Sequence, residues 1–339
     1  MTKRITTALA LLALAAAVAP AAPAAAGPVV IKIGSIAPAR SPWDKALEKV
    51  ARDWERISKG TVLVKVYPGG IAGSEIDMIR KMRLGTLQGG VFTTMGMSKV
   101  ERSVTALNIP LLFHSPEEFN VVFEKVRPAF EQKIEDKGFK VVLWTLAGWV
   151  QFFTKKPIAE PDDLRMFKIS VTDNDAEIEQ VWKKMGYEVV PGDFNDMMVQ
   201  LQSGAITAAY MPPLLAGSGQ YFAVLPHMLS LRLAPLVGGL LLSDKAWTSI
   251  PADLHPALLA AVADAARGLY EETMRLEDDA IKMMKDNGLV LHEPTAAALP
   301  KWRDAAARGV SDLIGPIFSK EMYDRIVGYL QEFRKTRGQ

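Results

Sequence analysis

The residue types that usually do chemistry are sparse in this chain and are not arranged for catalysis. The four histidines, His114, His227, His255 and His292, lie far apart and lack the H-x-x-x-H or H-E-x-x-H spacing of a metal site. Cysteine is absent, which excludes disulfides and thiolate ligands. Gly217-Ser218-Gly219 lacks the G-x-S-x-G nucleophile pattern. We therefore predict that the protein is not an enzyme and has no cofactor or metal; a hydrolase site assembled by folding is the catalytic alternative.

A glycine-rich segment, Tyr67-Pro68-Gly69-Gly70-Ile71-Ala72-Gly73-Ser74-Glu75, precedes a predicted helix and could in principle cradle a phosphate. It lacks the Gly-Lys-Ser/Thr end of a Walker loop and the G-x-G-x-x-G of a dinucleotide site. Glycine readily adopts positive φ, so the pattern favours a tight surface turn over a phosphate site.

Ser170 is the candidate binding residue that the strand pattern singles out. Pro161-Asp162-Asp163 predicts a turn, and Phe167, Ile169 and Val171 then alternate like a strand with one buried face. Ser170 points to the opposite face, which would be a cleft if the strand runs beneath one.

The elements that must position such residues alternate between strand and helix. Val29–Gly34 and Thr61–Tyr67 read as strands, and apolar residues at helical spacing from Trp43 to Ile57 lie between them. This β-α-β-α order predicts a mainly parallel sheet covered by helices. A strand from Val141 to Thr154 should cross between two lobes. From Pro251 to Gly288 an apolar stripe steps by three or four, which predicts one helix of more than thirty residues.

The first 26 residues are typical of a signal peptide, with Lys3 and Arg4, an apolar middle, and an A-x-A cleavage site at Ala24-Ala25-Ala26. Pro20 and Pro23 argue against a membrane anchor, so we expect export to the periplasm. Without Lys3 and Arg4, the 40 basic residues become 38 and equal the 38 acidic ones. A formally neutral chain of this kind argues against nucleic acid as a partner.

Three segments resemble the substrate-binding proteins of tripartite ATP-independent periplasmic (TRAP) transporters, the DctP-like family. Tyr67 to Glu75 matches its Y-P-G-G-x-x-G-S-E pattern, Asp163 to Val171 resembles D-L-K-G-L-K-I-R-V, and Phe194 to Gly204 resembles F-x-E-V-Y-x-A-L-Q-x-G. The resemblance covers nearly the whole mature chain. It implies an α/β, two-lobed periplasmic binding protein (type II-like) with a long spine helix crossing both lobes, and a small-molecule ligand delivered to TRAP membrane permease subunits.

The chain departs from this family where the family holds its ligand. In the family an arginine grips the carboxylate of an organic acid, a task suited to a planar guanidinium. Val150, Ser170, Met198 and Met211 stand where the family usually has two arginines, a tyrosine and an asparagine. We therefore predict a mainly apolar or uncharged ligand, for which flexible methionines are suited. The alternative is an organic acid held by another cation, such as Arg40 or Arg232.

By similarity, lobe I should span residues 27–147 and 241–282, and lobe II residues 148–240 and 283–339. The carboxyl end of a strand that runs into Thr93 is a usual ligand position, with packing inside the lobe as the alternative. The second functional hypothesis is a carrier or sensor that hands an apolar molecule to a partner, such as a helical-repeat periplasmic protein. The predicted ligand-binding residues are Ile36, Trp43, Thr93, Thr94, Met95, Trp149, Val150, Ser170, Thr172, Met198, Tyr210, Met211 and Pro212.

Overall fold

The computed structural model describes residues 27–171 and 176–338. The predicted signal peptide therefore lies outside the described residues. Within the described ranges there are ten strands and eleven α-helices, in an order that begins β-α-β-α as predicted. The strands are β1 (Val29–Ser35), β2 (Val62–Tyr67), β3 (Gly89–Thr93), β4 (Phe139–Thr154), β5 (Lys168–Val171), β6 (Glu188–Pro191), β7 (Ala208–Met211), β8 (His227–Leu229), β9 (Ala234–Ser243) and β10 (Val290–His292).

The helices cover both faces of the strands and include one much longer than the rest. They are α1 (Pro42–Ile57), α2 (Glu75–Arg83), α3 (Thr94–Ser98), α4 (Pro116–Glu135), α5 (Ala176–Lys184), α6 (Met197–Ser203), α7 (Pro213–Ser218), α8 (Asp244–Ser249), α9 (His255–Asp286), α10 (Ala298–Leu313) and α11 (Lys320–Thr336). Short 3-10 turns include Arg102–Asn108 and Pro161–Met166. Among the described helices, none combines the length and apolarity needed to cross a membrane.

One sheet runs through both lobes, in the order β2-β1-β3-β9-β4-β7-β5-β6. β1 pairs in parallel with β2 and β3, as the β-α-β-α pattern predicted. β9 and β4 are antiparallel to each other and occupy the centre. β4 pairs with β9 from Phe139 to Val150, and its last four residues, Gln151 to Thr154, pair with β7. The predicted crossing strand is thus confirmed.

A bulge interrupts β4 where it passes between the lobes. Its register against β9 shifts between Leu146 and Trp149. Gly148, inside the bulge, has φ +123°, and a Cβ there would lie 3.0 Å from the Pro212 Cβ. Only glycine adopts this conformation without strain, so Gly148 lets the crossing strand bend against the chain of the second lobe.

The long helix α9 has 32 residues and packs on both lobes, which confirms the predicted spine. Its N-terminal half buries Leu258 and Val262 with β1 and α1, and Trp54 Nε1 donates a hydrogen bond to the Leu258 carbonyl at 3.2 Å. Its C-terminal end buries Met284 in a second-lobe core. A single rigid helix therefore connects the two halves of the sheet.

The last helix, α11, lies in the range 283–339 that is predicted to belong to lobe II. Met322, Ile326 and Leu330 are buried in the same core as Phe119 and Val122 of α4, which belongs to the first lobe. An apolar stripe shows that a terminal helix is buried but does not indicate its partner. The lobe boundaries stay a prediction.

Candidate ligand-binding site

A cavity of about 320 Å³ lies between the lobes, above the central strands. First-lobe residues that line it include Ile36 after β1, Trp43 in the first turn of α1, and Thr93 at the end of β3. Second-lobe residues include Tyr210 and Met211 of β7. The cavity thus sits at strand ends and between lobes, the two places where α/β proteins most often hold small ligands.

The second-lobe side of the cavity is an aromatic wall formed by Phe152, Trp182, Tyr187, Tyr210 and Trp302. Trp182 stacks on Tyr210 with ring centroids 6.2 Å apart, and Phe152 meets Tyr210 edge to face at 5.9 Å. Trp302 donates from Nε1 to the Ala159 carbonyl at 2.9 Å, which fixes its ring. Burial raises the pKa of the Tyr187 hydroxyl, so that group stays neutral. A flat apolar molecule could stack on this wall.

The first-lobe side is mainly apolar but includes four side chains with polar groups, Trp43, Thr105, Asn108 and Thr145, here called the polar wall. Each of these four side chains has a buried polar atom without a hydrogen-bond partner among the described residues: Trp43 Nε1, Thr105 Oγ1, Asn108 Oδ1 and Thr145 Oγ1. These four polar atoms are themselves buried, so other atoms of the same side chains form the cavity surface here.

The Gly-Ser-Glu end of the glycine-rich segment supports this first-lobe wall. Gly69, Gly70 and Gly73 all have positive φ, which confirms the predicted tight turn. Glu75 at the start of α2 accepts hydrogen bonds from the Thr93 amide at 2.5 Å and the Thr93 hydroxyl at 3.0 Å. The segment thus fixes the end of β3 beside the cavity.

No aspartate, glutamate, lysine, arginine or histidine is among the described residues that line the cavity. Arg40 is exposed, and its backbone amide donates to Asp44 at 2.6 Å. Arg232 lines a different cavity. Within the described chain, neither of the two arginines considered as substitute cations thus reaches the main cavity.

Most of the predicted binding residues are brought together around the cavity. Those that line it are Ile36, Trp43, Thr93, Met95, Val150, Tyr210, Met211 and Pro212. Val150 and Met211 are two of the four departures from the family pattern that led us to expect an uncharged ligand. Both line the cavity.

Four other predicted residues are not part of the lining, and Thr172 lies outside the described residues. Thr94 is buried, and its hydroxyl donates to the Val237 carbonyl at 2.7 Å. Trp149 belongs to the first-lobe core. Ser170 is only 5% exposed within the sheet, and Met198 packs at the edge of a second-lobe core, while its neighbour Met197 reaches the cavity.

Helix α5 and the residue that follows it supply cavity residues at the spacing that is typical of a buried core stripe. Ile178, Val181, Trp182 and Met185 form an apolar stripe, but no residue of α5 is fully buried in the structure. A stripe that faces a cavity has the same spacing as one that faces a core, so periodicity could not separate the two. Thr105, Asn108 and Thr145 could not be recognised as cavity residues from sequence, because single threonine and asparagine residues are common in loops and strands.

A second cavity of about 560 Å³ lies between strand β4 and helix α9 and is lined by charged as well as apolar residues. Gln151 lines it from β4, one residue after Val150 of the main cavity, so the crossing strand separates the two spaces. Arg232, Arg303 and Glu277 line it as well. Leu111, which has φ +56°, borders both cavities.

Glu277 of the spine helix is only 6% exposed in this second cavity and has no hydrogen-bond partner among the described residues. Burial raises the pKa of its carboxyl, and attraction to Arg232 opposes that rise without cancelling it. A raised pKa in the folded state means that ionising Glu277 costs stability at neutral pH. That cost disappears when the pH falls below the pKa of the unfolded chain.

Glu277→Gln is therefore expected to raise the melting temperature near neutral pH by about 2–4 °C, equivalent to about 1 kcal/mol. The gain should disappear near pH 3, because the wild-type carboxyl is then protonated in both states. Thermal melts of the wild-type protein and of Glu277→Gln across that pH range measure the gain in melting temperature. Asp279→Asn, which alters an exposed carboxylate on the same helix, serves as the control. A gain that is the same at both pH values would contradict this explanation.

A family model, bacterial extracellular solute-binding protein family 7 (DctP), matches residues 33–314 of this chain. Among curated relatives, a solute-binding protein of Chromohalobacter salexigens is 26% identical over 265 residues, covering 76% of this chain and 77% of the relative. The C4-dicarboxylate-binding periplasmic protein DctP of Rhodobacter capsulatus is 24% identical, covering 82% of this chain and 84% of the relative.

Solved structures share the fold. The sugar acid binding protein DctPAm of Advenella mimigardefordensis, in complex with galactonate, has a TM-score of 0.84 at 19% identity, covering 90% of this chain and 99% of that one. A TRAP periplasmic solute binding protein from Shewanella oneidensis with bound succinate has a TM-score of 0.83 at 18% identity, covering 90% of this chain and 100% of that one. These likenesses confirm the predicted two-lobed α/β architecture.

Proposed function

Because this chain belongs to family 7 of the bacterial extracellular solute-binding proteins, we propose that it captures a small, mainly apolar or uncharged ligand between its lobes. We propose further that it delivers this ligand to the membrane permease of a TRAP transporter. Members of the family are binding proteins rather than enzymes, which agrees with the lack of catalytic spacing in the sequence. Closure would shift the population between open and closed lobes through ligand contacts to both.

One observation carries the ligand class: no charged side chain is among the described residues that line the cavity. An ionised carboxylate enclosed there without a cation would lose several kcal/mol, a large part of the roughly 8 kcal/mol of a micromolar complex. The relatives with a galactonate, succinate or dicarboxylate in their names bind acids. The proposal therefore separates this chain from those relatives by the chemistry of its own cavity wall.

The alternative hypotheses have less support. An organic acid held by Arg40 or Arg232 is disfavoured, because Arg40 is exposed away from the lining and Arg232 lies in the second cavity. The comparisons give no support to a handover to a helical-repeat partner; they point to the binding proteins of TRAP transporters.

Native mass spectrometry of the mature protein, purified from a bacterial host, tests the ligand class. We expect a bound neutral molecule that is released on denaturation and can then be identified. Ile178→Asp should abolish its retention, because a carboxylate on the cavity face of α5 must be desolvated beside an apolar ligand. Ile178 is only partly buried, so the variant should fold, as circular dichroism would check.

Val199→Asp is the matched control, because Val199 is 67% exposed and is not among the lining residues. This variant should retain the bound molecule. Recovery of a dicarboxylate or sugar acid from the wild-type protein would overturn the proposed ligand class while leaving the family assignment intact.

A further inference from the structure

The second cavity, which the proposed function does not use, contains the features of a binding site of its own. Its volume of about 560 Å³ is within the range of small-molecule sites. Four charged side chains line it, Arg232, Glu277, Asp278 and Arg303, whereas the described lining of the main cavity has none. The two cavities therefore suit ligands of different chemistry.

Glu277 is the charged group in this cavity that most needs a partner. The residue is only 6% exposed, and its carboxyl has no hydrogen bond or ion pair with a described residue. The unpartnered polar atoms of the described chain that are wholly shielded do not include its carboxyl oxygens, so the carboxyl has accessible surface in the cavity. A buried carboxylate without a partner is costly, and such groups are normally paired. A cationic group of a bound molecule would supply the missing partner.

Arg232 and Arg303 bring the opposite charge to the same cavity. Arg232 lies between β8 and β9 and Arg303 lies on α10, whereas both acidic residues of the lining are on α9. Arg232 is near enough to attract the charge of Glu277, yet no ion pair joins Arg232, Glu277, Asp278 or Arg303 to another described residue. His114, the remaining titratable group of the lining, stays neutral because burial lowers its pKa.

The balance of charge restricts the ligand. Two acidic and two basic groups face the cavity, so a ligand with one charged group would leave the groups of its own sign without a partner. A molecule with an ammonium at one point and a carboxylate at another matches both signs. Met228, Ile281, Leu291 and Leu299 also line the cavity and could bury an aliphatic group.

We propose that the second cavity binds a small zwitterion of the α-amino acid class with an aliphatic side chain. The ammonium pairs with Glu277, the carboxylate pairs with Arg232 and Arg303, and the side chain packs on the apolar part of the lining. Glu277 contributes most, because it is buried, whereas both arginines are exposed and water screens their charge. This site goes beyond the proposed function, in which only the main cavity takes a ligand.

Three probes that share one branched aliphatic body test the charge requirement: leucine, isocaproate, which lacks the ammonium, and isoamylammonium, which lacks the carboxylate. Isothermal titration calorimetry with the purified wild-type protein near neutral pH gives the dissociation constants. Leucine is expected to bind about tenfold or more tightly than either of the other two probes, the effect of one additional hydrogen-bonded charge pair.

Glu277→Gln should weaken leucine binding to about the level of isocaproate and should not weaken isocaproate binding. The double variant Arg232→Gln, Arg303→Gln should weaken leucine binding to about the level of isoamylammonium. The matched control is Asp279→Asn, which removes an exposed carboxylate of the same helix that is not part of the described lining. This control variant should bind leucine as the wild type does.

Ile178→Asp separates this site from the main cavity, because Ile178 lines only the main one of the two. This variant should bind leucine as tightly as the wild type does, although it is expected to lose the main-cavity ligand. Loss of leucine binding in Ile178→Asp would place leucine in the main cavity and overturn the second site. Absence of leucine binding by the wild type, or equal binding of leucine and isocaproate, would also overturn it and would leave the proposed function standing.

Discussion

Arg334→Met is expected to lower the free energy of unfolding by about 3–5 kcal/mol, the usual effect of removing one partner from a buried ion pair. The Arg334 guanidinium donates to both oxygens of Glu118, from Nε at 2.7 Å and from Nη2 at 2.8 Å. Nη2 also donates to the Leu112 carbonyl at 2.9 Å. The Glu118 side chain is only 3% exposed, so the substitution would leave its charge buried and uncompensated.

The Glu118 carboxyl depends on these contacts for its charge. Burial alone would raise its pKa, but hydrogen bonds from Arg334 and from the His114 amide outweigh burial and hold the pKa below its ordinary value. A lowered pKa in the folded state means that the pair stabilises the fold at neutral pH. This contribution is lost as the pH falls through the folded-state pKa, so the loss caused by Arg334→Met should shrink in acid.

Urea unfolding at neutral and acid pH measures this effect, and Arg337→Met is the matched control. Arg337 is three residues further along and pairs with Glu117, but both side chains are more than half exposed. An exposed pair contributes about 0–1 kcal/mol, so this variant should be nearly neutral. Adding Glu118→Gln to Arg334→Met should restore part of the loss by removing the unpaired charge. Equal losses from Arg334→Met and Arg337→Met would contradict the explanation.

The same ion pair links the C-terminal helix to the cavity wall. Arg334 of α11 holds the Leu112 carbonyl, next to Leu111, which borders both cavities. The Leu111 amide donates to the Leu233 carbonyl at 2.6 Å, and Leu233 lines the main cavity. Attachment of α11 to the first lobe therefore fixes part of the site, and the sequence did not indicate this role for the C-terminal end of the chain.

The parts of the fold that could be predicted are those with a long or unusual local pattern. The 32-residue helix α9 and the 16-residue strand β4 both follow from apolar periodicity that extends over many residues. The turn at Gly69, Gly70 and Gly73 follows from glycine's access to positive φ. In each case the local sequence and the tertiary structure require the same conformation.

Ser170 shows why the candidate site was only partly predictable. Alternation along β5 places Ser170 opposite Ile169 and Val171, and in a half-exposed strand that face would open onto solvent or a cleft. β5, however, lies between β6 and β7 with parallel pairing on both sides, and Ile169, Ser170 and Val171 are all at most 5% exposed. Strands in such positions are covered on both faces, so alternation does not indicate a cavity.

Met198 lies one residue away from the position that lines the cavity, for a geometric reason. Successive residues on a helix differ in direction by about 100°, so a shift of one position moves a side chain to another face. α6 begins at Met197, and Met197 rather than Met198 lines the cavity. Of the polar wall only Trp43 was predicted, because the meeting of Thr105, Asn108 and Thr145 depends on the tertiary fold and leaves no local pattern.

Val150→Arg is expected to change the ligand class of the main cavity from neutral molecules to organic acids. Val150 lies on β4, is 8% exposed and lines the cavity beside Phe152 and Tyr210 of the aromatic wall. A guanidinium there would be enclosed with no carboxylate among the described lining residues. Retaining an apolar ligand next to it would require desolvating the charge, so affinity for the neutral ligand should fall at least tenfold.

The same substitution supplies the cation that an organic acid needs. A bidentate arginine–carboxylate pair in a closed cavity is among the stronger charge-assisted interactions, so succinate or naphthoate should stabilise Val150→Arg but not the wild-type protein. At a hundredfold excess over its dissociation constant an acid would add about 2.7 kcal/mol, which a thermal shift readily detects. Without acid, the variant should melt below the wild type.

Val150→Met separates the effect of charge from the effect of size, because methionine fills a similar length of the cavity without a charge. This control should lose some affinity for the neutral ligand but should gain no response to acids. If succinate stabilises the wild-type protein as strongly as it stabilises Val150→Arg, a cation already reaches this cavity. The ligand class proposed for the cavity would then be wrong. If only the arginine variant responds, the charge missing at position 150 is what separates this protein from its acid-binding relatives.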